Sequence, residues 1–271
     1  MHLVVDMGGR YIRYEVVEAG ISGQIDTESI SIEKFLDSFI NSFNIKKVGI
    51  SIAGQVRDGY VVSSPNIKLR HKNLAEYIWR RWRVEAVIEN NLNMAVLAEA
   101  EYWGVDNLVA LYSGSGLGAG VVENSKVVRG IDSLAGEIGH IPYKEAPFRC
   151  GCGKNNCIEL YASRNGIKRW IDHYGIGLSL LKEVKEDGYV KIAKEYEKAL
   201  LQASAIMVNL FNPSILVLGG EVIQKNVYLI NLIKQELPKY ALKASTDSLK
   251  VELTRLCDAP LKGIKTVMGT R

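Results

Sequence analysis

The chain has no long apolar run. Nothing in it approaches the length needed to span a bilayer, and its first residues, MHLVVDMGGR, hold no basic segment followed by an extended apolar one. Neither a membrane span nor a secretory leader is expected, and the location read from this is cytoplasmic. Low-complexity tracts are also missing. With hydrophobic residues at 47% and charged residues at 24%, the whole chain is expected to fold. Nor does charge of one sign accumulate: the net charge is +4 and is evenly spread, which argues against a polyanionic partner. The densest basic run is WRRWR, Trp79 to Arg83. Leu74, Ile78 and Trp82 recur there every four residues, the spacing of one buried helix stripe with the arginines on the solvated side. A plain amphipathic helix is therefore preferred over a nucleic-acid contact.

What remains is a chain of 271 residues, long enough for two lobes of ordinary size. LVVDMGGRYIRYEVVE reads as a β-hairpin, residues 33 to 44 as an amphipathic helix and KKVGISIAG as a buried strand. After the turn-rich VSSPN come the basic helix, the strand VEAVIEN and the helix NMAVLAEAEYWG, ending at Gly104. Near residue 107 the opening theme returns in NLVALYSGSGLGAGVVENSKVV, as if a phosphate-facing hairpin were duplicated. A long helix from about Lys191 to Phe211 carries Ile192, Tyr196, Ala199, Ala203, Ile206 and Leu210 on one stripe, and it leads to the strand ILVLGGEV. Such alternation of strands and helices predicts an α/β fold with helices on the sheet faces.

Glycines 114, 116, 118 and 120 do not form a dinucleotide fingerprint, because VVENSKVV continues as strand where that motif needs a helix. There is no GK[ST] phosphate loop either. Alternating glycines in a hairpin turn do leave amide N–H groups uncovered, which suits phosphate oxygens; a plain tight hairpin is the competing reading. Two such turns, Asp6 to Arg10 and Ser113 to Gly120, with the strand-end pair Gly219 and Gly220, favour a bound nucleotide.

Of four cysteines and four histidines, residues 140 to 157 (HIPYKEAPFRCGCGKNNC) hold three and one. Cys150, Cys152 and Cys157 are close enough to wrap one ion, and His140 would complete the Cys3His set of a tetrahedral zinc site. A disulfide is the alternative, weak in a cytoplasmic chain. Cys257 reads as a small buried apolar residue. Glu137 and Glu159 flank the loop and cannot drift far from the ion. If His140 ligates through one ring nitrogen, the other N–H is left as a donor, and one imidazole with two carboxylates makes a clamp for polyol hydroxyls. Solvated loop glutamates are the plainer alternative.

VVDMGGR, VGISIAG, IENNLNMAVLAEA, SGSGLGAGVV, GEIGH, CGCGKNNCIELYAS and LVLGG, in this order over nearly the whole chain, resemble the ROK family of sugar kinases and sugar-responsive repressors. The resemblance implies an actin-like (ribonuclease-H-like) ATPase fold of two lobes, residues 1–108 with the tail 257–271 and residues 109–256, with a ligand cleft between them. It implies structural Zn²⁺ on His140, Cys150, Cys152 and Cys157, and a sugar held by Gly54, Asn90, Asn91, Glu137, His140 and Glu159. ATP with Mg²⁺ falls to Asp6, Gly8, Gly9, Arg10, Ser115, Gly116, Gly118, Gly219 and Gly220. The partners implied are a sugar and a nucleotide, with a homodimer as a family expectation.

Two positions depart from the family pattern. Arg10 stands where the first phosphate turn usually has threonine. Asn91 stands where the family's kinases usually carry the aspartate that takes the proton from the attacking hydroxyl, which an amide cannot do. A positioned base is worth about 10²- to 10⁴-fold, so the expected loss falls on rate more than on sugar binding. The reading is a sugar kinase, slowed at Asn91; its rival is a sugar-sensing ROK protein without catalysis and, with a first strand starting by about Leu3, without a DNA-binding domain.

Overall fold

The computed structural model describes residues 1–64, 67–175 and 190–270. The chain divides into two compact units, residues 1–98 with 129–135 and 256–271, and residues 99–128 with 136–255. Pro65 and Asn66 of the turn-rich VSSPN lie outside the described residues.

In the first unit β1 (His2–Met7) and β2 (Tyr11–Val16) form the expected hairpin around the glycine pair, and β3 (Ile21–Asp26) extends it antiparallel. On the other side of β1, β4 (Lys47–Ile52) and then β7 (Glu85–Asn90) add in parallel, giving the order β3-β2-β1-β4-β7. A small hairpin, β5 (Gln55–Arg57) and β6 (Tyr60–Ser63), stands apart from this sheet. Alternation along β1 assigns its faces. Leu3, Val5 and Met7 join the core that holds Phe35 and Leu36 of α1 (Ile32–Phe43) and Leu74 and Ile78 of α2 (Leu74–Trp82), whereas Val4 joins a second core. That second core contains Met94 of α3 (Asn91–Trp103) and Leu261, Ile264 and Met268 of a C-terminal helix (Ala259–Met268). A period of two with both faces buried is what a sheet sandwiched between helices requires. The α2 stripe is as expected at Leu74 and Ile78, while Trp82 is half-buried and donates from Nε1 to Asp37 at 3.2 Å.

The second unit repeats the plan. β8 (Leu108–Ser113), β9 (Leu117–Glu123) and β10 (Lys126–Val127) form an antiparallel meander; β11 (Ile215–Gly219) adds to β8 in parallel and β12 (Lys250–Leu253) to β11, in the order β10-β9-β8-β11-β12. The duplication legible in two glycine turns thus extends to two whole sheets. α4 (Arg164–Tyr174), α5 (Val190–Phe211), α6 (Glu221–Lys225), α7 (Tyr228–Glu236) and α8 (Lys243–Thr246) complete this unit among the described residues, and the C-terminal helix above is α9.

Three expectations are corrected. The α5 stripe is buried at Ile192, Tyr196, Ala199 and Ala203, but Ile206 is half-buried and Leu210 is 68% exposed. Leu200, Ser204, Met207 and Val208 turn inward instead, because the burial of a 22-residue helix follows what packs on it rather than one straight line of residues. The strand ILVLGGEV ends at Gly219, and Gly220 is the N-cap of α6. Cys257 is exposed, the neighbouring Leu256 taking the buried position.

Candidate functional site

In the first unit, the sheet register surrounds Asp6 with chosen neighbours. Arg13 on β2 and Ser51 on β4 are its cross-strand partners, so their side chains share its face. Ser51 Oγ donates to Asp6 Oδ1 at 2.7 Å, and Arg13 approaches Oδ2 at 3.3 Å. Asp6 is only 3% exposed. Burial pushes its carboxyl above the usual aspartate range, against the pull of Ser51 and Arg13. Directly after it, Gly8 closes the turn by donating to the Tyr11 carbonyl at 3.0 Å, Gly9 and Arg10 are exposed, and the Arg10 guanidinium lies over the Tyr11 ring at 5.0 Å.

Met7, Ile52 and Asn90 align in one row at the carboxyl ends of β1, β4 and β7. Asn90 therefore lies beside the loop that follows β4, and its Nδ2 donates to the Gly54 carbonyl at 2.8 Å. Its Oδ1 accepts from the amides of Leu92 at 2.9 Å and Asn93 at 3.0 Å, capping the first turn of α3. The amide oxygen is thus fully engaged by the fold, leaving one N–H of Nδ2 for other uses. Asn91, the first residue of α3, is half-buried, and its side chain makes no hydrogen bond among the described residues.

The second unit gathers the other glycines at the same end of its sheet. Parallel pairing sets Gly219 beside Tyr112, and Gly220 lies against the Ser113 backbone, directly before the turn that holds Gly114, Ser115 and Gly116. α4 holds this turn from outside. Arg164 N donates to the Gly114 carbonyl at 2.8 Å and Asn165 N to the Ser115 carbonyl at 3.3 Å, and the Arg164 side chain pairs with Glu221 at 2.8 Å. Gly118 lies in β9, opposite Tyr112.

The loop carrying His140 is pinned to β9. A Cβ on Gly139 would lie 2.2 Å from the Leu117 carbonyl oxygen; one on Gly136, at φ +86°, would lie 2.5 Å from that of Ala119. Only glycine permits such approach, so GEIGH can lie flat on β9 and hold Glu137 and His140 in place. His140 and Cys150, Cys152 and Cys157 then bring one ligand atom each to within 4.8 Å of one another. His140 Nδ1 is 3.6 Å from Cys150 Sγ, and the Cys152 and Cys157 sulfurs are 3.4 Å apart. Two ligands about 2.3 Å from a common tetrahedral centre stand roughly 3.8 Å apart, so this soft donor set fits zinc. All four cysteines are free thiols.

The carboxylates fall around this cluster. His140 Nε2 lies 3.7 Å from Glu137 Oε2. Glu159 Oε1 accepts from Cys150 Sγ at 2.8 Å, and its Oε2 accepts from the Leu117 amide at 3.4 Å and adjoins Gly116. Partial burial raises the Glu137 carboxyl, which His140 lowers and the Glu159 charge raises further. Within this unit the structure joins Glu137, His140, Glu159, the cysteines and Gly116 into one constellation. Ser51, Arg13 and Arg164 are the neighbours that motif reading passed over. Counting the register outward from the Gly8–Gly9 turn would have found Arg13.

The ROK family model matches residues 3–268. A xylose repressor of Caldicellulosiruptor bescii is 26% identical over 78% of this chain and 59% of its own, and a glucokinase of Halalkalibacterium halodurans is 28% identical over 77% and 71%. The chain thus spans about 59% of the length of the repressor it matches. The solved structure of a ROK glucokinase from Streptomyces griseus, in complex with glucose and AMPPNP, superposes with a TM-score of 0.77 at 23% identity, covering 98% of each chain. The fold is the actin-like ATPase fold of these proteins. Among the described residues no helix is long and apolar enough to cross a membrane.

Proposed function

The chain belongs to the ROK family, and from that premise we propose that it transfers the γ-phosphate of ATP to a hydroxyl of a hexose or N-acylhexosamine. The observation that carries the proposal is the constellation of Glu137, His140 and Glu159 against three cysteines. Zinc on His140, Cys150, Cys152 and Cys157 would hold the cysteines as thiolates. A thiolate cannot donate, so the hydrogen bond from Cys150 Sγ to Glu159 Oε1 would be lost and that oxygen would be free for a sugar hydroxyl. Ligation through Nδ1 would leave His140 Nε2–H as a donor on the Glu137 side. The second unit thereby offers two acceptors and one donor to a polyol, and its Ser115, Gly116, Gly118, Gly219 and Gly220 backbone to phosphate.

In the first unit Asn90 and Gly54 assist sugar binding, and Asn91 occupies the catalytic-base position with a free amide. Asp6 supports the Mg²⁺ end of the nucleotide, with Gly8, Gly9 and Arg10 on the phosphates. Because Asn91 cannot accept a proton, turnover is slow and depends on positioning and charge stabilisation. A coupled ADP-release assay over a panel of hexoses and N-acylhexosamines tests this. Turnover with one sugar supports it; none with any sugar, in either the wild type or Asn91→Asp, overturns it.

One observation favours a second reading. The amide at Asn91, with the match to a xylose repressor over 78% of the chain, fits a sugar sensor that binds without useful catalysis. Calorimetry giving sugar binding with no ATP binding favours the sensor.

A further inference from the structure

The first unit carries two hollows lined by none of the residues assigned above to sugar, nucleotide or zinc. The larger, of about 690 Å³, is bordered by Tyr60, Lys72, Asn73 and Arg80, and the smaller, of about 340 Å³, by Ser29, Ser31, Glu33 and Asp37. Arg70, His71, Tyr77 and Arg81 line both. The His71 and Tyr77 rings stack with centroids 4.1 Å apart and planes 10° from parallel, which makes the shared border a stiff one.

The charges in these hollows are incompletely matched. Arg81 is held by Asp37 at 2.9 Å, and Arg80 pairs with Glu76. Lys72 Nζ donates to a backbone carbonyl, that of Val62, at 3.2 Å. Among the described residues no carboxylate lies within ion-pair range of Arg70 or Lys72, two exposed cations that border the larger hollow. The smaller hollow, which Lys34 also lines, holds in addition one unpaired acceptor, since Glu33 Oε1 is buried with no donor. Cations lacking an anion take phosphate oxygens well, guanidinium best of all. A buried carboxylate oxygen lacking a donor takes a hydroxyl. A molecule bearing both groups answers both deficits.

We propose that the first unit binds a small phosphorylated sugar at these hollows, with its phosphate on Arg70 and Lys72 and a hydroxyl donating to Glu33. The site is separate from the residues assigned to catalysis and holds whether or not the chain transfers phosphate. It makes the protein a sensor of sugar phosphate.

The test is calorimetry on the intact chain without ATP, with glucose 6-phosphate, glucose, tripolyphosphate and a single-stranded oligonucleotide as probes. Glucose 6-phosphate is expected to bind the wild type and Glu137→Ala alike. The double variant Arg70→Ala/Lys72→Ala should weaken it about tenfold or more while leaving glucose affinity unchanged. Glu33→Ala should weaken glucose 6-phosphate and leave tripolyphosphate unaffected. Unchanged melting temperatures without ligand establish that the variants fold, and Arg70→Gln alone serves if the double variant does not. The proposal fails if the wild type does not bind glucose 6-phosphate, or if binding survives the double variant but is lost in Glu137→Ala. It also fails if tripolyphosphate or the oligonucleotide binds more tightly than the sugar phosphate, which would make the patch a polyanion surface.

Discussion

Nε2 of His140 lies 3.7 Å from Oε2 of Glu137, three residues earlier in the chain, while the other ring nitrogen is 3.6 Å from the sulfur of Cys150. One imidazole therefore spans from the cysteine cluster to a carboxylate, and its two nitrogens have different tasks. If the cluster holds zinc, purified protein will contain one zinc per chain by elemental analysis. Cys157→Ser, at a fully buried position, will lose it. Besides the ion, the loop is held by cross-loop backbone bonds such as Tyr143 N to the Asn156 carbonyl and Ala146 N to the Asn155 carbonyl, each 2.7 Å, so losing the ion should cost about 3 kcal/mol, roughly 10 °C in melting temperature. Full stability of a metal-free preparation would remove zinc from the account.

Glu137→Gln separates sugar binding from metal binding. The carboxylate touches the imidazole without being among the four ligand groups, so zinc content should be retained. Losing a charged acceptor for a hydroxyl should weaken sugar affinity about 10- to 100-fold by calorimetry. If affinity is unchanged, Glu137 is a solvated loop residue after all.

How much of this was legible before the fold was known depends on the range of each interaction. The hairpin around Gly8 and Gly9 and the Cys3His loop are encoded within about twenty residues, and both are found where the spacing placed them. Asn90 carried an equally local signal, an Asn directly before an apolar helix, but the motif reading absorbed it into a sugar contact although its oxygen caps α3. The contact of Glu159 with Gly116 and Leu117 joins residues more than forty apart and exists only because GEIGH lies flat on β9. Leu210 and Cys257 erred for a related reason: a hydrophobic period or a residue type gives the tendency to be buried, and neighbouring elements decide whether it is realised. The hollows beside the basic run were equally hidden, since α1 and the segment before α2 meet there only in three dimensions.

Asn91→Asp tests the catalytic reading. The position starts α3, where a carboxylate is favoured by the helix dipole, so the variant should fold at least as well as the wild type. If an attacking hydroxyl lies here, a carboxylate should raise kcat by about 10²- to 10⁴-fold with little change in KM. Sugar binding with no change in kcat would instead favour the sensor.

Asp6 supplies the pH-dependent prediction. Its raised carboxyl means that the folded protein binds this proton more tightly than the unfolded chain does. The sign follows from linkage: the contribution to stability is fully present below the unfolded value of 3.8 and is lost as pH rises through the higher folded value. Burial thus disfavours the charged form of Asp6, even with Ser51 and Arg13 on either side. Asp6→Asn keeps an acceptor for Ser51 and removes the charge. The variant should therefore gain stability relative to the wild type as pH is raised from about 3.8 towards 7, read as the difference in urea midpoints. It should also lose phosphate transfer by about 10²-fold or more, as expected for removal of a group that stabilises charge in the transition state. A residue kept at a cost to stability and needed for turnover is the signature of a functional carboxylate. A wild type that gains on the variant as pH rises would show instead that Ser51 and Arg13 outweigh burial, and that Asp6 is held as a structural ion pair.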